Sequence, residues 1–575
     1  MMEDRNIYDN KGVAEKLLSC LSLCHNILRN QEGMTPESAF RELNRLLYVK
    51  YITERRGIED WRYDEEYGIL QIFDEVKREF NYENLFDYSE TILSRPISYR
   101  DVLGTIRDFS FISASTETGR AYESFAQKVL RGISDEPIVP YSVAEYITDY
   151  LDVKSDSNVV DPLCGYGALL SALSSQYPKE RKGKIFGYER DQMLAQTAKM
   201  NLMMHGDWDG RIERTMQDLY YLNQQFDYII TTIKHRETAW EDINGVMNLL
   251  GPNGKAALLI PDDMLQKEQY EDTRRRLLVR HTILAVISLP VSAVKSRGRQ
   301  TKWSILIIYG NRPQDYNQDT LFAKVDNIGV SSLGLPSEKN DFKRIEPAIY
   351  QWMHGGDRVK SEHVMWVNLR GLESWNVEAE LLKEENRYIS QYPLYKLHEL
   401  VEIESVPLEG CPKEDEYMQV TVRKNQHDVI LRDRMATKDI KHPRRQFVAR
   451  EGQILISRIN AKDGAIGIVP QELNGAIVSD NFIVLTVNNH VVDPYYLLMV
   501  LTSERYQKVL KGISRGATVR SYIKNSDLLE IEVPVPNKEK QRELTDDMAG
   551  IQQKIYQLEK HWQEGIQRFS KELFG

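Results

Sequence analysis

Cysteine is scarce in this chain, and its scarcity excludes two kinds of fold. The 575 residues include four cysteines, at positions 20, 24, 164 and 411. Their number and spacing give neither a disulfide framework nor a paired CxxC zinc site. Cys20 and Cys24 lie one helical turn apart in an apolar segment, so we interpret them as core residues and expect no metal centre.

Long apolar runs are also absent from the sequence. No run reaches the roughly 18 residues that a membrane span needs, and residues 1–12 lack the pattern of a signal peptide. We therefore expect a cytoplasmic protein with no membrane partner. The composition, 41% hydrophobic and 28% charged, is ordinary for a globular protein, and the length predicts about three or four domains. The net charge of −10 does not by itself favour nucleic acid, but it can conceal a local basic patch.

Residues 1–136 are predicted to form a helical domain. Apolar residues recur at helical spacing within residues 40–51, with charged residues between them, and a second helix is predicted over residues 119–130. Taken alone, this region is best interpreted as a scaffold.

Residues 137–391 change to an alternation of strands and helices. This pattern predicts an α/β domain whose parallel, seven-stranded, Rossmann-like sheet is covered on both faces. The predicted strands are residues 157–161, 184–189, 211–216, 226–232, 255–261, 283–290 and 303–310. Ligands bind beyond the C-terminal ends of such strands, so we expect Asp161, Glu189, Asp218 and Thr231 to converge on one crevice.

The first predicted strand leads into a glycine turn, SNVVDPLCGYGALL at residues 157–170. Asp161 lies at the tip of the strand, Gly165 and Gly167 permit a tight turn, and the apolar run after them opens a helix. The next strand ends at Glu189, whose carboxylate can accept both hydroxyls of a ribose. These features predict a nucleotide-like ligand; the alternative is that the glycines serve only the packing of the fold.

Several segments carry a resemblance to a known family. In order they are GRAYESFAQKVLRG, DPLCGYG, GYE with MLAQTAKMNLMMHG, LLGPNGKAALLIPDDML and AVISLP. Together they resemble the methylation subunit of type I restriction-modification systems, the adenine-N6 DNA methyltransferases, over about residues 35–309. The resemblance implies that S-adenosylmethionine is the cofactor, and it implies a cofactor-binding set of Pro140, Asp161, Cys164, Gly165, Gly167, Glu189 and Asp218.

The predicted catalytic corner departs from that family. Active members carry Asn or Asp, two prolines and an aromatic residue, whereas this chain has Thr231, Thr232, Ile233 and Lys234. A flipped adenine needs a side-chain acceptor and a backbone carbonyl for its amine and a ring to stack on. Thr231 offers only a hydroxyl, Ile233 offers only apolar contact, and Lys234 is electrostatically unfavourable beside a target amine and a sulfonium.

A second departure precedes the first helix of the core. This chain has Ile138, Val139 and Pro140 where the family has Phe-Thr-Pro. The missing threonine weakens the case for S-adenosylmethionine, and loss of cofactor binding is the alternative. Both departures favour a methyltransferase scaffold that no longer transfers methyl groups.

Residues 392–535 form a different module. The segments LYKLHEL, GQILISRI, GAIVSDNFIVL, DPYYLLMVLTSERYQKV and LEIEVPVPNKEKQ together resemble one α/β target-recognition domain of a type I specificity subunit. The resemblance implies binding to double-stranded DNA, and it leaves a nuclease or translocase subunit as a candidate partner.

Basic residues are concentrated in this module and are typical of phosphate or base contacts. A solvated surface role is at least as frequent for any single one of them. The candidate DNA-binding residues are Arg423, Lys424, Arg432, Arg434, Lys438, Lys441, Arg444, Arg445, Arg515, Arg520, Tyr522 and Lys524.

Residues 536–575 are predicted to form a long helix. Its apolar residues follow three-and-four spacing at positions 544, 548, 551, 555, 558, 562 and 566, which is typical of a packed or coiled-coil helix. We favour a homodimer formed through this helix, with packing against its own chain as the alternative.

Three hypotheses about function follow. The first is a sequence-specific DNA-binding protein of restriction-modification or anti-phage type, on a methyltransferase scaffold whose catalytic motif is degenerate. The second is an active adenine-N6 DNA methyltransferase with an unorthodox target pocket. The third is an assembly subunit of an anti-phage complex.

Overall fold

The computed structural model describes most of the chain. The described residues are 3–57, 66–113, 116–177, 181–218, 222–234, 238–291, 293–295, 301–330, 336–356, 358, 361, 363–410, 414–423, 428–440, 442–458, 465–513, 523–546 and 548–574. They divide into two compact units, Met1–Val377 and Glu378–Gly575, which are described separately. The finer division at residues 136, 391 and 535 stays a prediction.

The first unit contains the helices α1 (Glu3–Glu32), α2 (Pro36–Arg55), α3 (Glu66–Glu79), α4 (Pro96–Thr105), α5 (Thr116–Ile133), α6 (Tyr141–Leu151), α7 (Ala168–Gln176), α8 (Gln192–Met204), α9 (Ala239–Asn248), α10 (Asp263–Gln266), α11 (Glu271–Arg280) and α12 (Phe342–Met353). Its strands are β1 (Val159–Asp161), β2 (Ile185–Glu189), β3 (Arg211–Arg214), β4 (Phe226–Thr232), β5 (Leu250–Pro261), β6 (Thr282–Ser288), β7 (Trp303–Tyr309), β8 (Thr320–Lys324), β9 (Ile328–Val330), β10 (Pro336–Asn340) and β11 (Val364–Val367).

The N-terminal helices pack directly on the sheet layer. Helix α2 begins where the Thr35 hydroxyl accepts the Ser38 N–H and Pro36 takes the first helical position. Its apolar face enters a hydrophobic core that continues into α8 and the sheet. A buried ion pair also connects the helices to the sheet. The Lys199 ammonium of α8 lies 3.1 Å from Glu83, and Glu83 accepts the N–H of Ile212 in β3.

In the described residues the main sheet has nine strands, in the order β11-β8-β6-β7-β5-β4-β1-β2-β3. Strands β1 to β5 are mutually parallel, and β6 is parallel to β8. Strand β7 runs antiparallel to both β5 and β6, and β11 is antiparallel to β8. The prediction of a parallel, seven-stranded sheet was therefore wrong at β7, which lies between β5 and β6, and in the number of strands. Alternation alone does not report strand direction, since a buried strand of either direction is a short apolar run.

The second unit begins in α13 (Val377–Ile389) and continues with α14 (Leu397–Leu400), α15 (Pro494–Thr502), α16 (Glu504–Ile513), α17 (Asn525–Leu529), α18 (Lys538–Thr545) and α19 (Met548–Phe574). Its strands are β12 (Leu394–Lys396), β13 (Val401–Ile403), β14 (Glu416–Val422), β15 (Val429–Ala436), β16 (Gln446–Ala449), β17 (Ile454–Ser457), β18 (Ile466–Ile468), β19 (Ala476–Ser479), β20 (Phe482–Val487) and β21 (Glu532–Pro534).

Two four-stranded sheets, β13-β20-β17-β18 and β15-β14-β19-β16, organise the described part of this unit. Strand β17 is apolar on both faces because it separates two cores. Ile454 and Ile456 pack with the helical layer, and Leu455 packs with the residues of the second sheet. Among the described residues, no helix in either unit is long and apolar enough to cross a membrane.

The C-terminal helix predicted over residues 536–575 is two helices in the described residues. Helix α18 ends at Thr545, Asp546 has a non-helical ψ of 130°, and α19 begins at Met548. The apolar spacing continues across this break, which is why the sequence pattern alone indicates one helix.

Candidate functional site

The turn from β1 into α7 has the geometry that its glycines predict. Gly165 has φ +54° and Gly167 has φ +82°, a region that residues with a Cβ rarely adopt. A Cβ added to Gly167 would lie 3.0 Å from the Cα of Ala198 in α8. Gly167 therefore serves both the turn and the close approach of α8.

Two predicted carboxylates lie at this turn, and both are largely buried. Asp161 ends β1 and accepts the N–H of Leu163 at 3.1 Å. Glu189 ends β2, and its Oε2 accepts the Gly165 N–H at 3.0 Å. The other oxygen, Oε1, accepts the backbone N–H groups of Arg190 and Asp191 at 2.8 and 2.9 Å. Glu189 is thus engaged by backbone donors on both oxygens.

Sequence reasoning missed the third carboxylate of the crevice, Glu136. A Cβ built on Gly165 would lie 2.1 Å from Glu136 Oε1, so this carboxylate fills the space beside the glycine turn. Glu136 Oε2 lies 2.5 Å from the ammonium of Lys234. The sequence shows only an acid directly before Pro137, and nothing in the local sequence links it to Lys234.

Burial sets the protonation of these groups. The pKa of Asp161 is raised to about 7, mainly by burial and also by the nearby carboxylates of Glu136 and Glu189, while the Thr231 hydroxyl and the Leu163 N–H oppose the rise. Burial likewise raises the pKa of Glu136 to about 7, with Lys234 acting in the opposite direction. Lys234 therefore offsets part of the cost of burying Glu136.

The predicted catalytic corner lies at the end of β4. Thr231 is buried beside Asp161, as expected, and Thr232 ends the strand. Ile233 is also buried, and its N–H donates to the Leu259 carbonyl at 2.9 Å. Lys234, by contrast, reaches Glu136.

The segment that departs from Phe-Thr-Pro is fixed by backbone contacts. The N–H of Ile138 donates to the Lys295 carbonyl at 2.8 Å. Val139 exchanges hydrogen bonds with the buried hydroxyl of Tyr166, and Pro140 precedes the first residue of α6. None of these contacts needs a threonine hydroxyl.

The remaining predicted cofactor residues differ in their surroundings. Cys164 is buried, and burial raises its pKa, so the thiol stays protonated. Asp218 is exposed, four residues beyond the end of β3. The structure brings Asp161, Glu189 and Thr231 together and gives Asp218 no buried position among them.

Most described arginines of the predicted DNA-binding set already contact acids. Arg423 pairs with Asp428, and Arg434 lies 3.5 Å from Glu416. The five candidates Lys424, Lys441, Arg515, Arg520 and Tyr522 lie outside the described residues. The remaining paired arginines are Arg444 with Glu409 and Arg445 with Asp480, both at 2.6 Å.

Family models match both parts of the chain. Residues 115–246 match the model described as N-6 DNA Methylase, and residues 390–568 match the model described as Type I restriction modification DNA specificity domain. The chain joins an N-6 DNA methylase domain to a type I DNA specificity domain. The methylase family generally depends on S-adenosylmethionine.

Relatives exist for both domains, and each match is partial. The methylase domain is similar to the type I restriction enzyme MjaVII methylase subunit of Methanocaldococcus jannaschii, with 39% identity over 12% of this chain and 13% of that protein. It is also similar to the EcoEI methylase subunit of Escherichia coli, with 21% identity over 50% of this chain and 68% of that protein. The specificity domain is similar to the HindI specificity subunit of Haemophilus influenzae, with 27% identity over 22% of this chain and 27% of that protein.

The raised pKa of Asp161 predicts a pH dependence of stability. Its pKa rises from the usual 3.8 to about 7 in the folded protein, so folding favours the protonated form. The stability that this group contributes is fully present below about pH 4 and is lost as the pH rises through about 7. We expect D161N to flatten the dependence of the unfolding free energy on pH between these values, measured by urea denaturation. D218N, which removes an exposed carboxylate, is the matched control, and parallel curves for D161N and the native chain would contradict the assignment.

Proposed function

We propose that the chain binds duplex DNA in a sequence-specific manner through residues 392–535 and does not methylate it. The observation that carries the second half of this proposal is the ion pair of Lys234 with Glu136. It occupies the corner between the glycine turn and the end of β4, where this fold places ligands. A protein of this kind belongs functionally with restriction-modification or anti-phage systems.

The target corner supplies little of what base flipping requires. An extruded adenine needs an aromatic or apolar surface and oriented acceptors for its exocyclic amine. Thr231 and Ile233 are buried, and the most accessible residue of this corner is the half-buried Lys234. A cation at that point repels a positively charged sulfonium and offers a donor where an acceptor is required.

The residues beside the glycine turn do not fit S-adenosylmethionine in this arrangement. The carboxylate of Glu136 fills the space next to Gly165, so a ligand group placed there would have to displace it. Glu189 is engaged by the three backbone N–H groups described above. Cofactor binding would require the buried carboxylate of Glu136 to leave Lys234, its cation partner, and a buried acid without its cation is costly.

The specificity domain supports the DNA-binding half of the proposal. Its β14–β15 segment and the residues that follow carry exposed cations in a chain whose net charge is −10. Cations that replace counterions on phosphates give binding that weakens steeply as salt rises. At 0.1 M salt, charges more than about 10 Å apart are largely screened from each other. Acidic residues farther than this from the patch therefore have little effect on its attraction for DNA.

Methyl transfer and DNA binding can be measured in one preparation. We expect the purified full chain to bind random duplex DNA with an affinity that falls with salt, and to transfer no tritium from labelled S-adenosylmethionine. Label transferred by the native chain and lost in D161N would overturn the proposal in favour of the active enzyme. Absence of both binding and transfer would overturn it in favour of an assembly subunit.

We further propose that α19 pairs with α19 of a second copy. Its apolar residues remain exposed in the single chain and follow three-and-four spacing, the pattern that two helices bury between them. The second copy carries the same pattern, and its specificity domain would provide the second half of a bipartite reader. The exposed residues are Ile551, Ile555, Leu558, Trp562, Ile566, Phe569 and Leu573.

Substitution within this face tests the pairing. We expect L558D, which places a charge in the seam, to shift the full chain from dimer to monomer in sedimentation velocity. H561D alters an exposed residue on the same helix and is the matched control. A native chain that is monomeric at about 10 μM, well within the range of ordinary dimers, would contradict the pairing.

A further inference from the structure

Strand β15 has an irregularity at its centre. It lies at the edge of its four-stranded sheet and pairs with β14. Gln419 pairs with Asp433, and the next residue, Val420, pairs with Leu431. Arg432 is therefore an extra residue in β15 that has no pairing residue in β14. This is a β-bulge, a feature that is frequent at sheet edges and beside functional sites because it re-aims a side chain.

Arg432 also differs from its basic neighbours in its contacts. Arg434, two residues along the strand, lies 3.5 Å from Glu416, and Arg445 lies 2.6 Å from Asp480. Arg432 is exposed, and within the described part of the chain it has no hydrogen bond or ion pair. Its guanidinium therefore keeps all five donors available without breaking an internal pair.

An exposed apolar residue accompanies it. Leu431 is 40% exposed on the same edge. Contact of an aliphatic side chain with water is unfavourable, so burial against an apolar group would stabilise it. The major groove admits a two-stranded β-ribbon, and there an arginine fork pairs with O6 and N7 of guanine while apolar groups contact the methyl of thymine. Strands β14 and β15 form an antiparallel two-stranded ribbon at the edge of the sheet, because β14 is in register with β19 only where Gln419 pairs with Ile477. Strand β15 presents both groups at adjacent positions.

We propose that Arg432 reads a guanine in the major groove, presented by the bulge of the β14–β15 ribbon. The inference rests on the proposed function, since it requires that the specificity domain bind duplex DNA. It goes further by separating one base-reading arginine from the paired ones. Lys438 is exposed in the short 3₁₀ turn after β15 and suits a phosphate instead, because an ammonium acts as a point charge.

Selection from randomised duplexes tests this assignment with the full chain. The native protein, R432A, R432K and K438A are each used to enrich sequences, and the affinity for the native target is then compared with that for single-pair variants. We expect R432A to lose preference at one G·C pair by about 5- to 150-fold while it keeps the rest of the motif. R432K keeps the charge but not the fork, so it should lose the same preference.

The control separates charge from base reading. We expect K438A to bind all sequences more weakly by a similar factor and to lower the salt slope by about one, with its motif unchanged. An unchanged motif in R432A, or a uniform loss that R432K restores, would overturn the assignment while leaving DNA binding intact. If the native chain enriches no sequence, the proposed function itself fails. Equal thermal unfolding of all four proteins excludes misfolding as the cause.

Discussion

The ion pair between Lys234 and Glu136 determines how the crevice of the methylase domain can be interpreted. Three carboxylates, Asp161, Glu189 and Glu136, lie together around a glycine turn, and burial raises the pKa of two of them to about 7. Crowded acids of this kind need a cation or protons. Lys234 supplies the cation from the position where the predicted catalytic corner ends. Lys234, which is unfavourable in a methyltransferase target pocket, therefore serves here as the cation partner of a buried acid.

The specificity domain meets a different constraint. Strand β17 contributes to cores on both of its faces, and exposed charge is carried by edge strand β15 and by the segment after it. Many of those charges are paired with acids inside the domain. A count of basic residues consequently overstates the number of cations that can contact DNA without rearrangement, and the bulge at Arg432 identifies one that can.

The local pattern was sufficient for the glycine turn, the ends of β1 and β2, and the alternation of strands and helices, because each depends on neighbouring residues. It did not report the antiparallel direction of β7 or the added strands β8 and β11, which depend on pairing between distant segments. The contact of Glu136 with Lys234 was missed for the same reason. The break at Asp546 was missed because apolar spacing continues through it.

The most direct test of the account is the affinity of the full chain for S-adenosylmethionine, measured by isothermal titration calorimetry. The account predicts no saturable binding at concentrations up to about 1 mM, which is the weak end of specific affinity at roughly −4 kcal/mol. Micromolar binding by the native chain, with Lys234 and Glu136 in place, would show that the crevice opens for the cofactor and would contradict the claim.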